Sequence, residues 1–583
     1  MMPGDNSPNV DQLEARPSQE RSDVLSLSAT RKSRSRPDAS PGQLSELIHS
    51  ISNQEAKARY KTEEADNRIP VEDGTDSNSL QGVGQKTIIA WEPGDKANPY
   101  NWSERRKALV LLTSMAQVMN STMGSSLPSM AIPYIAKEFG VTSELQLVLP
   151  ISTYLIGYVF GPILWGPMSE HIGRRDLSIA TFLMFILWTM SCALAPNWPS
   201  LLIFRLFCGV FASAPIAVVT GILADIYNDP VQRGRAMAYF MVTTMGGPLA
   251  APIISGFCST SIGWRWTFWI GLIFAGATLV LVIILPETYA PVLLTRRAAK
   301  IRKADPKAQV YSSSELEGHD YKQLVTRVLT RPIRMLLTEL IVATTCLYLA
   351  LVYSIFYMSF EAFPIIFQDV YDLSPGVAGL CYLPIGGGGI LALPIFFGFD
   401  RVFRIAKEQG RPWSKKEEYR RVPLATIGGP MFVISMFWLG WTARPEVPFV
   451  VPMLAGLLFG GGFLLIFMGM LNYLTDAYEI FAASANAAAS SARSTFAVVL
   501  PLATTPMFAR LGINGACSLL GGLSLVLSIV PFIFLWKGER IRAGSKFCIA
   551  LKERKLEMEQ RAEKEEQRQA EVGRAAKDKE QTV

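Results

Sequence analysis

Two ionisable side chains stand inside long apolar stretches of this chain. Arg205 lies in Leu201-Leu202-Ile-Phe-Arg205-Leu-Phe-Cys-Gly209, and Glu361 in Phe360-Glu361-Ala-Phe363-Pro364. A charge removed from water is costly, so an ionisable group in such a run faces a partner, a cavity or a proton pathway. Glu361 can gain and lose a proton, which makes it a candidate for coupling proton movement to another event; a bond to a tilted neighbouring helix is the alternative. Arg205 either turns inward to a partner or extends its stem towards the headgroups. Asp225 closes the run that holds Arg205, in Leu223-Ala-Asp225-Ile-Tyr227. Gln117, Asn120, Tyr154 and Tyr158 offer polar contacts either to a central cavity or, as ordinary interhelical hydrogen bonds, to one another's helices.

Other chemistries lack the residues they need. There are only three histidines, His49, His171 and His319, and the seven cysteines are scattered with no C-x-x-C spacing. Neither a disulfide framework nor a metal site is expected, and no cofactor. There is no G-x-x-x-x-G-K-S/T loop; Gly386–Gly389 and Gly460–Gly462 sit in apolar runs, where helix flexibility or close packing accounts for them. Nothing points to an enzyme. The formal charge of +7 collects in particular gaps between apolar runs, which reads as membrane topology and not as nucleic-acid binding.

These side chains need elements to hold them. About twelve apolar runs fill the chain from Lys107 to Trp536, each near the ~20 residues a helix needs to cross a bilayer. They fall at approximately 107–134, 147–168, 177–196, 199–226, 234–259, 264–286, 335–364, 374–399, 422–442, 448–475, 481–508 and 514–536. Barrel strands would instead show about 10 alternating residues. Basic residues crowd every second gap: Arg174 and Arg175, then Arg233 and Arg235, then Arg296 to Lys303, then Arg401 to Arg421. The positive-inside rule therefore places both termini in the cytosol and makes the number of spans even. No apolar core of signal-peptide type precedes the first run, so that run is expected to direct insertion.

The longest internal gap, 287–334, divides the spans six and six, as in a transporter built from two pseudo-symmetric halves. The fold expected is all-α and membrane-integral, with twelve transmembrane helices in two six-helix bundles. The expected segments are a disordered cytosolic tail over 1–104, a bundle over 105–290, a cytosolic linker over 291–334, a second bundle over 335–540, and a charged tail over 541–583. The first tail is too polar to offset its ordering entropy. The last is rich in i,i+4 charge pairs and predicts a solvated helix.

Several motifs carry a family resemblance. Gly166-Pro-Met-Ser-Glu170-His-Ile-Gly173-Arg174-Arg175 follows the second run and resembles the G-x-x-x-D/E-x-x-G-R-R/K loop of the major facilitator superfamily. Its glycines permit a tight turn, and its charges can latch onto neighbouring helix ends. Gly246-Gly247-Pro248-Leu-Ala-Ala251-Pro252-Ile-Ile-Ser255-Gly256 resembles the antiporter signature G-P-x-x-G-P-x-x-G-G, with Ala251 and Ser255 in place of glycines. Small residues there allow close packing and the prolines bend the helix. Asn98-Pro-Tyr-Asn101-Trp102-Ser103 is similar to the entry segment of fungal twelve-span drug:proton antiporters.

The resemblance covers about 430 residues and implies a secondary transporter in the fungal cell membrane. It implies proton-coupled efflux of small amphipathic compounds, with Arg205 tied to proton coupling. Asp225, placed at the cytosolic end of its helix and close to the Arg174–Arg175 loop, is expected to form a salt bridge in a cytosolic gate with Gly166, Glu170, Gly173, Arg174 and Arg175. The partners it implies are a small-molecule substrate, protons and the lipid bilayer, with no nucleic acid, and a chain that works as a monomer. A polyamine or nutrient transporter of the same fold, or a nontransporting membrane sensor, are the alternatives.

Overall fold

The computed structural model describes residues 87–560 apart from 93, 307–308, 317–320, 479–480, 546, 550, 554–555 and 557–559, with the backbone alone for 230 and 321–329. Most of the expected N-terminal tail and the charged C-terminal helix lie outside the described residues.

Among the described residues, ten stretches are long and apolar enough to cross a membrane. The last of them, Ala482–Ala543, is long enough for two spans and is interrupted twice, by a 3₁₀ turn at Leu500–Ala503 and by the non-helical Gly512 (φ 68°) within the helix that follows. A further helix, Glu104–Ser126, falls short in hydropathy because Thr113, Gln117, Asn120, Ser121, Thr122, Ser125 and Ser126 lie along it, and all of these are buried. With it, the spans are α1 (Glu104–Ser126), α2 (Glu144–Ile172), α3 (Arg174–Ala193), α4 (Trp198–Ile226), α5 (Pro230–Ser261) and α6 (Arg265–Ile284). The second six are α7 (Leu340–Phe363), α8 (Pro375–Glu408), α9 (Glu418–Thr442), α10 (Val450–Tyr478), α11 (Ala482–Val499) and α12 (Thr504–Ala543).

Local signals set many of the boundaries. Asn197 and Ser200 form a reciprocal capping box at the start of α4, and Asp229 caps α5 just before Pro230. The first run ends earlier than its apolar residues predict: α1 stops at Ser126, and a separate helix, Ile132–Phe139, follows. Pro128 explains the stop, since it has no N–H to give to the carbonyl of Gly124. The seventh run also shifts. A break at Glu339 precedes α7, and a π-helical turn, Pro364–Val370, extends it.

Each half has its own interior. One apolar cluster is drawn wholly from the first half and includes Val110, Tyr154, Phe182 and Val219. A second belongs chiefly to the last six, and Met130, Ile151, Leu155, Met245 and Leu249 of the first half join it. The halves therefore meet through apolar side chains. Leu112, Phe160, Ile203, Ile273, Val280, Ile390 and Val526 stay exposed on the outside, a surface suited to lipid. The two glycine runs are close-packing devices: a Cβ on Gly388 would lie 2.0 Å from the Leu457 carbonyl of α10, and one on Gly460 would lie 1.8 Å from the Ile385 carbonyl of α8.

The chain entry, the linker and the basic loops converge at one end. A short strand β1 (Thr87–Ile88) pairs in parallel with β2 (Val310–Tyr311) in the linker, and Arg297 reaches Asp95 at 2.5 Å. At the opposite end Glu138 accepts from Trp264 and Arg265, both at 2.6 Å. These two donors, Trp264 foremost, hold its carboxyl below the ordinary glutamate range.

Candidate functional site

Arg205 is fully buried in the first half and is held by main-chain oxygens. Nε donates to the Pro150 carbonyl (2.8 Å), Nη1 to that of Gly124 (2.6 Å) and Nη2 to that of Ser125 (2.7 Å). The guanidinium also lies 4.4 Å from the centre of the Tyr154 ring. Gly124 and Ser125 have carbonyls to offer because α1 ends there, leaving its last-turn oxygens without helical donors. The approach of α2 depends on Gly209, one turn beyond Arg205, where a Cβ would lie 2.1 Å from the Tyr154 carbonyl. Among the described residues no carboxylate pairs with Arg205, so its charge is solvated by dipoles and not neutralised.

Polar groups continue from this point. Tyr154 Oη donates to the Ser121 carbonyl (2.6 Å), Tyr158 Oη lies 2.5 Å from Ser121 Oγ, and Ser121 Oγ donates to the Ala212 carbonyl. Asn120 Nδ2 donates to Thr278 Oγ1 at 2.7 Å, which serves interhelical bonding, while its Oδ1 has no partner. Gln117 is fully buried with both amide atoms unpartnered. In the second half, Glu361 Oε1 is also buried without a partner. The polar residues thus divide: Tyr154 and Tyr158 are occupied within the first half, Asn120 only through its Nδ2, whereas Gln117 and Glu361 retain free valences.

The proline-rich part of α5 joins three elements. Pro252 has no N–H for the Pro248 carbonyl one turn earlier, and Ser126 Oγ of α1 fills that place at 2.7 Å. Gly247 meets α1 so closely that a Cβ would lie 2.0 Å from Thr122 Oγ1. Ala251 and Ser255, the two departures from the glycine pattern, are both fully buried, and Ser255 Oγ accepts the Met130 N–H at 3.2 Å. Gly256 faces the other half: its Cβ would lie 2.4 Å from the Pro375 carbonyl at the start of α8, and one on Gly379 would lie 2.7 Å from the Pro252 carbonyl. This seam lies at the end away from the basic loops.

At the basic end, Arg174 is the hub. Nε pairs with Asp225 at 3.1 Å, Nη1 donates to Ser169, and the guanidinium lies 4.9 Å from the Tyr289 ring centre. Gly173, at φ 108°, lets α2 turn into α3. Gly166 has open space around it. Glu170 is exposed and enters none of the ion pairs among the described residues. The carboxylate inside the turn is Glu287, from the Leu285-Pro286-Glu287-Thr288 stretch after α6. It accepts the backbone N–H groups of Arg174 (2.9 Å), Arg175 (3.2 Å), Thr288 (3.0 Å) and Tyr289 (3.0 Å). The Arg175 side chain donates instead to the Ile283 carbonyl at 3.1 Å.

The second half repeats this plan. Leu474-Thr-Asp476-Ala-Tyr478 ends α10 as Leu223-Ala-Asp225-Ile-Tyr227 ends α4, and Arg421 Nε reaches Asp476 at the same 3.1 Å. The two pairs are six helices apart, which is the pseudo-symmetry of the halves at residue level.

Two residues escaped the sequence reading. Glu287 stands just beyond the sixth apolar run, at the start of the 287–334 gap, where nothing in the residue spacing gives it a role. Arg493 sits within α11, the signal being a lone arginine in the small-residue run Ala482-Ala-Ser-Ala-Asn486 to Thr495. Among the described residues no group of His, Cys, Asp and Glu is placed to hold a metal ion.

Comparison with known proteins agrees with this architecture. The sequence profile of the Major Facilitator Superfamily matches residues 114–501. The MFS-type transporter traF of Penicillium crustosum is 36% identical over 481 residues, covering 82% of this chain and 97% of that protein. The MFS-type efflux pump MFS2 of Trichophyton rubrum is 35% identical over 464 residues, covering 79% of this chain and 77% of the pump. The solved structure of the proton:xylose symporter XylE superposes with a TM-score of 0.55 at 18% identity, covering 75% of this chain and 96% of the symporter. The paired bundles, the α5 seam, the repeated Arg–Asp latch and these matches lead to one conclusion: the chain belongs to the major facilitator superfamily and is a multi-pass membrane transporter.

Proposed function

We propose that this transporter exports small amphipathic organic compounds across the cell membrane in exchange for protons, with both termini in the cytosol. The two halves would rock about the central contact, opening in turn to each side. Proton and substrate must favour different states, because a ligand with equal affinity for both shifts nothing. The observation that carries the coupling is Glu361, an intramembrane carboxyl whose Oε1 is buried without a partner. Such a group can take up a proton in one state and release it in the other. Arg205, with its charge held by carbonyls alone, supplies the fixed positive field of the first half.

The outward direction draws support from relatives named as efflux pumps, MFS2 of Trichophyton rubrum among them. The driving force is adequate: one proton crossing about 100 mV supplies about 2.3 kcal/mol, and each pH unit adds about 1.4 kcal/mol. For a neutral substrate exchanged one for one, these together sustain a gradient of about 500-fold.

Purified protein in liposomes with an imposed pH gradient tests the reading, with aromatic dyes and drug-like amphiphiles as probes. Accumulation that follows the gradient and becomes independent of it in Glu361→Gln is the expected result. Flux that ignores the gradient in the unaltered protein removes the antiport.

A further inference from the structure

We infer that Arg493 is the charge anchor of the substrate site, and that the substrate class is the organic anion: an amphipathic acid presenting a carboxylate or phenolate, its apolar body lying against the aromatic side chains beside α11. This deepens the exporter reading and rests on it, since an anchor between the halves binds and releases only if they move.

α11 is where the halves meet. It packs on α7 within its own half, and its Val498 carbonyl accepts Ser152 Oγ of α2 at 3.3 Å. Arg493 is half-buried in this position. Its guanidinium carbon lies 5.4 Å from the Tyr353 ring centre and 5.9 Å from that of Phe467, and Nη2 donates to Ser490 Oγ at 3.3 Å. A guanidinium carries five N–H donors. Among the described residues no carboxylate pairs with Arg493, and no further hydrogen bond from it is formed. Arg205, by contrast, has three carbonyls around it.

The two arginines stand at the ends of one polar thread across the interface. Tyr353 Oη lies 3.5 Å from Tyr357 Oη, Tyr357 Oη lies 3.0 Å from Ser125 Oγ, and the Ser125 carbonyl accepts Arg205 Nη2 at 2.7 Å. No acidic residue interrupts it. Two uncompensated positive charges in a low-dielectric region attract an anion and repel a cation. Only Arg493 has donors to spare, and their planar fork suits a carboxylate. The Tyr353, Tyr357 and Phe467 rings then offer the apolar surface an aromatic acid requires.

The test uses purified full-length protein in detergent and two probes of one shape: 1-naphthylacetate and its neutral amide, 1-naphthylacetamide. The unaltered protein is expected to bind the carboxylate about tenfold more tightly than the amide. Arg493→Gln should bring the two affinities within about twofold while leaving the amide unaffected. Arg493→Lys, which keeps a charge but loses the fork, should retain a smaller preference. Equal affinities or a preference for the amide in the unaltered protein, no binding of either probe, a preference that survives Arg493→Gln, or one wholly lost in Arg493→Lys would each overturn the assignment. Proton dependence is scored separately in liposomes. A carboxylate preference without proton-driven flux would leave Arg493 in place and remove only the antiport.

Discussion

At the scale of single residues, the most demanding position is Arg205. Its three donors point in three directions to carbonyls on two helices, a geometry that a lysine ammonium cannot reproduce. Arg205→Lys keeps the charge and loses most of these bonds, each worth about 1.5–3 kcal/mol for a charged donor. Proton-driven flux in liposomes should fall at least about tenfold, since about 1.4 kcal/mol of lost differential stabilisation already has that effect. Folded protein recovered from membranes, followed by size-exclusion chromatography, should fall much less. Glu287 poses the opposite problem, an acceptor with four main-chain donors. Glu287→Gln removes acceptor capacity at the start of α3, where the helix dipole also favours a negative charge. Thermal unfolding in detergent should show a loss of about 1–3 kcal/mol.

At the scale of helices, two glycines decide how elements approach. Gly173 joins α2 to α3 at φ 108° and ψ 153°, a region open essentially to glycine alone. A Cβ there would also meet Glu287 Oε2 at 2.4 Å. Gly173→Ala should therefore destabilise the protein by about 1–3 kcal/mol through backbone strain, plus the loss of the turn's hydrogen bonds, read as a lower melting temperature. Gly256 governs the α5–α8 seam. Gly256→Val places its side chain against the Pro375 carbonyl and should hold the halves apart at that end. A cysteine introduced at the buried Leu249, in a background without the seven native ones, should then react with water-soluble maleimide where it was protected before. Unchanged protection would show that the seam tolerates the added volume.

At the scale of the whole molecule, the contacts gather the chain entry, linker and exit at one end. Asp95 pairs with Arg297 of the linker, Glu339 accepts from Tyr478 and from the Phe547 N–H, and Arg542 pairs with Glu417 and Glu418. An even number of spans requires this, whichever side of the membrane that end faces. If it faces the cytosol, single cysteines at Lys96 and Lys552 should react with a membrane-impermeant maleimide only after cells are permeabilised. A cysteine at the exposed Glu144 should react in intact cells. Labelling of Lys96 and Lys552 positions under opposite conditions would break the six-plus-six arrangement.

The sequence by itself determined an all-α membrane protein built of apolar helices long enough to span a bilayer, and the small-residue and proline pattern that packs α5. Apolar length, loop charge, proline and glycine each act locally, and their effect is written in residue type. Arg205 and Asp225 were legible for the same reason: a charge inside an apolar run announces itself. Only the tertiary structure decided what these groups touch. Arg205 is held by carbonyls, which every residue carries, so no side-chain pattern could have named Pro150, Gly124 and Ser125 as its partners. Glu287 entered the latch and Glu170 stayed in solvent because of how the end of α6 folds back over Gly173. Arg493 gained its place beside Tyr353 because α11 bridges two halves separated by hundreds of residues, and such a contact depends on how whole helices pack.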